Sequence, residues 1–140
     1  MSETIERNKE ILGKVLTAFN ERRLEELDAY ICPAFVGHNP LSPEPIPGPE
    51  GLKGFFGAFI AGMPDCRHPV WKMIAEGEYV AIHMPFEGTF ENELLGIPPN
   101  GNKVNVMMSN IWRFEDGKIV ELWLNMDTLG LMKQVGVVPA

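Results

Sequence analysis

The hydrophobic pattern changes period once, at Pro64, and that switch constrains the fold more than any other feature of the chain. Before it, apolar residues recur every three or four positions. Ile5, Leu12, Val15, Leu16 and Phe19 do so within residues 3–20, with charged residues between them, as on one face of an amphipathic helix. Ser2 is placed as its N-cap, and Glu3 and Glu6 sit where the helix dipole favours them. Leu24, Leu27 and Ile31 predict a second, shorter helix over 23–31, ended by Pro33. A third helix opens at Gly48-Pro49-Glu50 and carries Leu52, Phe55, Phe56, Phe59 and Ile60 before Gly62 and Pro64 stop it. After Pro64 the period falls to two. Residues 67–75, 79–90, 103–115 and 118–127 read as strands, separated by turn signals at Glu76-Gly77-Glu78 and Asp116-Gly117. A short helix over 128–134 follows, with Asp127 placed to cap it.

Pro40, Pro43, Pro45, Pro47 and Pro49 fall within ten residues. They exclude a helix and a central strand there and predict an extended loop. Helices followed by long antiparallel strands make an α+β architecture, one domain over residues 1–140. Helices can cover only one face of such a sheet, and a long curved sheet covered on one side tends to enclose a cavity.

Twelve Lys and Arg against nineteen Asp and Glu give a net charge of −7. That balance argues against nucleic acid and anionic membranes as partners. No run approaches the roughly 18 apolar residues of a membrane span, and the first residues lack the basic and apolar regions of a signal peptide. The expectation is a cytoplasmic domain in which Cys32 and Cys66 are packing residues. The three histidines show no metal-ligand spacing, no nucleophile elbow surrounds a serine, and no glycine loop is built for phosphate. No metal or cofactor is therefore expected.

The Asp116-Gly117 turn sets a register. Pairing Glu115 with Lys118 and continuing without a bulge puts Asn110 opposite Trp123, Met108 opposite Asn125 and Val106 opposite Asp127. One face then carries Val106, Met108, Asn110, Trp112, Glu121, Trp123, Asn125 and Asp127. Apolar bulk with a few convergent polar groups suits a small-molecule pocket. The other face carries Met107, Ile111, Val120, Leu122 and Leu124 and is expected to meet a second subunit, giving a homodimer or higher homo-oligomer. A bulge in the hairpin would exchange the faces beyond it.

Several segments in order resemble the SnoaL-like polyketide cyclases, the ester-cyclase group of the nuclear transport factor 2-like superfamily. They are His38-Asn39-Pro40, Gly48-Pro49-Glu50-Gly51, Met63-Pro64-Asp65, Gly88-Thr89-Phe90, the run from Gly96 to Gly101, Arg113 to Ile119, and Glu121-Leu122-Trp123 through Asp127 to Gly136. The resemblance spans residues 5–138. It implies a cone-shaped fold with a deep pocket, frequent oligomers and cofactor-free intramolecular aldol chemistry. It also implies an acid/base aspartate four residues after a tryptophan, here Asp127 after Trp123. The chain departs from the family pattern at Phe90, where members often carry His, and at His83, in a strand where they often carry Arg.

An aldol closure needs a base for the proton next to a carbonyl and a donor for the new alkoxide. Asp127 is the candidate base, raised by apolar neighbours, or simply the helix cap. His83 is the candidate donor, or a strand histidine. His38 at the pocket mouth, Met108, Asn110, Trp123 and Asn125 on the polar–apolar face, and Phe59 from the aromatic stripe are the candidate substrate contacts. His68, before Pro69, reads as structural or exposed, and the rest of the stripe as core. Competing readings are a non-catalytic binding module in the same pocket, or an epoxide-hydrolase-like or isomerase-like enzyme. The epoxide reaction is disfavoured because Arg113 points away from Asp127 in this register.

Overall fold

The two periods separate into two layers in the computed structural model, which describes residues 2–139. α1 (Ser2–Asn20) buries Leu12, Val15, Leu16 and Phe19. α2 (Gly48–Gly62) buries Leu52, Phe56 and Phe59. The segment expected as a second helix is a 3-10 turn, Leu24–Ala29. Ile31 and Pro33 already belong to the first strand, so strand pairing rather than proline ends the turn.

Six strands form one curved, unclosed sheet: β1 (Ile31–Asn39), β2 (Ser42–Pro47), β3 (Lys72–Glu76), β4 (Tyr79–Thr89), β5 (Lys103–Glu115) and β6 (Lys118–Trp123), in the order β2-β1-β6-β5-β4-β3. The sheet is mixed, not all antiparallel: β1 runs parallel to β6. The proline-rich segment is strand, not loop. β2 pairs with β1 at the sheet edge, where a proline's missing N–H faces no neighbour. The expected strand over 67–75 shrinks to β3, because Pro69 interrupts the ladder and Arg67 makes only an isolated bridge to Glu87.

One correction decides the site. The β5–β6 ladder begins as expected, Glu115 with Lys118 and Phe114 with Ile119. It then shifts, so that Arg113 pairs Glu121, Trp112 pairs Leu122 and Ile111 pairs Trp123. Val120 is the extra residue of this bulge, and every later β6 side chain changes face. Leu122 and Leu124 turn into the core, while Trp123 joins Ile111 and Arg113 on the convex side.

The expected inward face of β5 stands: Val104, Val106, Met108, Asn110, Trp112 and Phe114 are all buried. β4 alternates in step, with Val80, Ile82, Met84 and Phe86 inward and Tyr79, Ala81 and His83 outward. Two apolar residues, one in the proline-rich segment and one in the 91–102 connection between β4 and β5, also dock. Ile46 of β2 is 5% exposed, and Leu94 is 2% exposed where it packs on Gly62 at the end of α2. Leu95 stays exposed at φ 50°. α3 (Thr128–Gln134) closes the fold against β5. No helix among the described residues is long and apolar enough to cross a membrane.

Candidate functional site

Between the aromatic face of α2 and the concave side of the sheet lies a cavity lined by Phe19, Phe55, Phe56, Phe59, His68, Phe86, Met108, Leu124 and Met126. α1 supplies Phe19, and α2 supplies adjacent Phe55 and Phe56 with Phe59 one turn on. β4 and β5 contribute Phe86 and Met108, and the chain after the Val120 bulge brings in Leu124 and Met126. The rings interlock edge to face: Phe59 with Phe86 at 5.6 Å and Phe19 with Phe56 at 5.1 Å between centroids. The free volume within the cavity is about 30 Å³. That is room for a water or two, far below the roughly 300–1,000 Å³ of a ligand pocket. The phenylalanines fill most of this half-open space, and a substrate must displace them.

His68 is the one lining residue that can move a proton. It is 5% exposed, and its ring sits 5.1 Å from Phe19 and 5.4 Å from Phe86 between centroids. Its Nδ1 lies 3.0 Å from the carbonyl oxygen of Pro85. A carbonyl only accepts, so Nδ1 donates the proton and Nε2 keeps its lone pair. Nε2 has no hydrogen-bond partner among the described residues, yet it is not one of the sealed, unpartnered polar atoms, which are Asn8 Oδ1, Arg23 Nε and Trp112 Nε1. The ring that carries it lines the cavity. Burial pushes the imidazole down to about 4, so it is neutral near pH 7.

Asn20 fixes the backbone behind this ring. Its Nδ2 donates to the His68 carbonyl and its Oδ1 accepts from the His68 N–H, both at 2.8 Å. Arg22 ties down the preceding residues by donating to the carbonyls of Phe19, Pro64 and Cys66. The Cys66 thiol is pushed up to about 11 by burial, which makes it a packing group.

The residues singled out in sequence divide among three places. Phe59 and Met108 line the cavity. Asn110 is buried on the same face, but its Oδ1 accepts from the Asn125 N–H at 2.9 Å, holding the chain where β6 has ended. His38, His83, Trp123 and Asn125 lie on the convex side or its rim. His38 stacks on Trp123 at 5.8 Å, and its Nε2 is 2.7 Å from Glu121. His83 bonds Ser109 at 2.7 Å. Arg113 donates to Glu121 and Glu115, and the bond from His38, followed by those from Arg113, holds the Glu121 carboxyl below its usual range. Asp127 is exposed at the start of α3, with its carboxylate accepting from the Gly130 N–H at 2.8 Å. Among the described residues no three His, Cys, Asp or Glu side chains converge as a metal site would require.

His68 escaped the sequence reading, although a signal was there. From residue 65 to 68 charged Asp65 and Arg67 alternate with Cys66 and His68, a period-two pattern that puts His68 on the same side as the apolar Cys66.

A family model described as SnoaL-like polyketide cyclase matches residues 9–135. The chain belongs to that family. Among solved structures it is similar to IdmH from Streptomyces antibioticus, at 30% identity over 92% of this chain and 98% of that one, with a TM-score of 0.78. It is similar to TsrD from Streptomyces laurentii, at 27% identity over 95% and 97% with a TM-score of 0.83. A SnoaL-like polyketide cyclase from Agrobacterium tumefaciens shares the fold at 21% identity, over 92% and 98% with a TM-score of 0.76. No curated protein matches the chain. The cone-shaped nuclear transport factor 2-like fold implied by the sequence motifs is thus the fold of this chain.

Proposed function

We propose that this SnoaL-like protein is a cofactor-free acid/base enzyme of the lyase or isomerase kind, acting on a small, largely apolar carbonyl compound in the concave cavity. The observation that carries the reading is a phenylalanine-walled cavity with one proton-handling group, His68. Nε2 takes a proton from carbon between two carbonyls, leaving an enolate. The enolate carbon attacks a second carbonyl of the same molecule, and the imidazolium returns its proton to the new alkoxide oxygen. Proton and charge balance within one residue. A base held near 4 is weak alone, but an enolate beside it stabilises the imidazolium, and two flanking carbonyls acidify the carbon.

Asp127 is the group the family resemblance nominates, and it is carried into the test beside His68. The assay is deuterium uptake at the central carbon of a β-keto ester, followed by NMR. His68→Gln is expected to lose about 10²–10⁴-fold of the enzymatic rate, with Asp127→Asn retaining it. The opposite result would move the acid/base role to Asp127. Wild-type uptake no faster than buffer would leave a non-catalytic binding module. The same reading sets the enzyme in the cytoplasm, in keeping with its free thiols at Cys32 and Cys66.

A further inference from the structure

We propose that the cavity recognises its ligand through one neutral O–H donor, an enol or a phenol, given to His68 Nε2, and that it rejects carboxylates. This rests on the reading of the cavity as the ligand site. Of the nine lining residues, five are phenylalanine, two methionine and one leucine. None of those side chains donates a hydrogen bond, and a thioether accepts only weakly. The site therefore presents one strong polar atom, and the Pro85 carbonyl decides that this atom accepts.

The acceptor is held in place from several sides. Asn20 brackets the His68 backbone by its N–H and its C=O. Phe19 and Phe86 flank the ring, and turning it would break the bond to Pro85. A ligand with a hydroxyl completes the pairing of Nε2. A ketone or ether of the same shape leaves Nε2 unpaired. A carboxylate would be buried with no donor, inside a chain that already carries a net charge of −7. A 1,3-dicarbonyl meets the requirement in its enol form, and loss of that hydroxyl proton to Nε2 leaves the same enolate that removal of the central carbon's proton leaves. A flat ring suits walls made of edge-to-face phenylalanines.

The test uses phenol, anisole and benzoate, one at a time, with the intact protein near pH 7. Binding is read by NMR titration of the backbone amides and of the ¹⁵N-labelled imidazole. Phenol is expected to bind about tenfold tighter than anisole, with benzoate unbound. His68→Phe is expected to bring phenol to the anisole level. Should that variant not fold, the wild-type imidazole decides: its Nε2 resonance should move with phenol and stay with anisole. Anisole binding as tightly as phenol, benzoate binding, or a still Nε2 resonance would overturn the hydroxyl selection and leave the cavity as the ligand site. Failure of all three compounds to bind would overturn both.

Discussion

One buried imidazole shapes how this protein answers to acid, beside the Asp65 and Glu121 carboxyls that their hydrogen bonds hold low. His68 is held at about 4 by burial, against 6.5 for a free histidine. Between those values the unfolded chain binds a proton that the folded chain refuses. Stability from this residue is therefore fully present above pH 6.5 and falls as the pH drops toward 4. The loss is about 3 kcal/mol. Between pH 6.5 and 4 wild type should lose about 3 kcal/mol relative to His68→Gln in thermal melts; pH curves that stay parallel through that range would refute the assignment. Asp127 answers to a different measurement. Asn accepts from the Gly130 N–H as Asp does, so Asp127→Asn should leave stability within about 0.5 kcal/mol, whereas Asp127→Ala should cost about 1 kcal/mol. Of the two residues, the sequence made only the cap of α3 plain, because capping is local. The place of His68 depends on which way the chain faces after Pro64, and distant partners fix that: the Arg67–Glu87 bridge to β4, Asn20 of α1 and the Pro85 carbonyl.

At the scale of elements, α2 combines two tasks that conflict. It carries the Phe55, Phe56 and Phe59 plug, and it is built with glycine at 48, 51, 54, 57 and 62. A Cβ at Gly54 or Gly57 would meet nothing within 4 Å. Neither glycine is required by packing, and each lowers helix propensity by about 1 kcal/mol relative to alanine. Gly54→Ala and Gly57→Ala should each raise stability by roughly 0.4–1 kcal/mol in chemical denaturation. Both should slow the association of a cavity ligand, because a stiffer α2 displaces its plug less readily. Gly51→Ala should destabilise, since its Cβ would lie 2.6 Å from the Pro47 ring. The start of α2 was legible from Pro49 and Glu50, and the ends of β5 from its alternation. The Val120 bulge was not, because period two continues on both sides of an inserted residue and only the partner strand reveals the slip.

At the scale of the whole molecule, the convex side of the sheet leaves an apolar surface uncovered among the described residues. The convex side presents Ile74, 77% exposed, with Tyr79, Met107 and Ile111 each above 40%. Trp123 and Ala81 border the same cleft. We expect a homodimer to form through this face, with the Val120 bulge having exchanged Leu122 and Leu124 for Trp123 in its composition. Analytical ultracentrifugation should give a dimer at micromolar concentration, shifted toward monomer by Ile111→Glu. A wild-type monomer would count against the expectation. Ile111 points away from the cavity, so the substitution should leave phenol binding intact.

Local chemistry determined what could be read in advance. Helical and strand periods, the proline at the head of α2, the Asp116-Gly117 turn and the α3 cap each depend on residues within a few positions. The family motifs are likewise linear, and they named the fold. The tertiary structure decided what depends on a distant partner: β1 beside β6, prolines confined to an edge, and the residue at which the β5–β6 register slips. It also decided which histidine meets the cavity. His38, His68 and His83 are alike to sequence chemistry, and an imidazole acquires its tautomer and solvation from the groups folding brings to it. Glu121 and Ser109 pair the two outside, whereas Pro85 and two phenylalanine rings enclose His68.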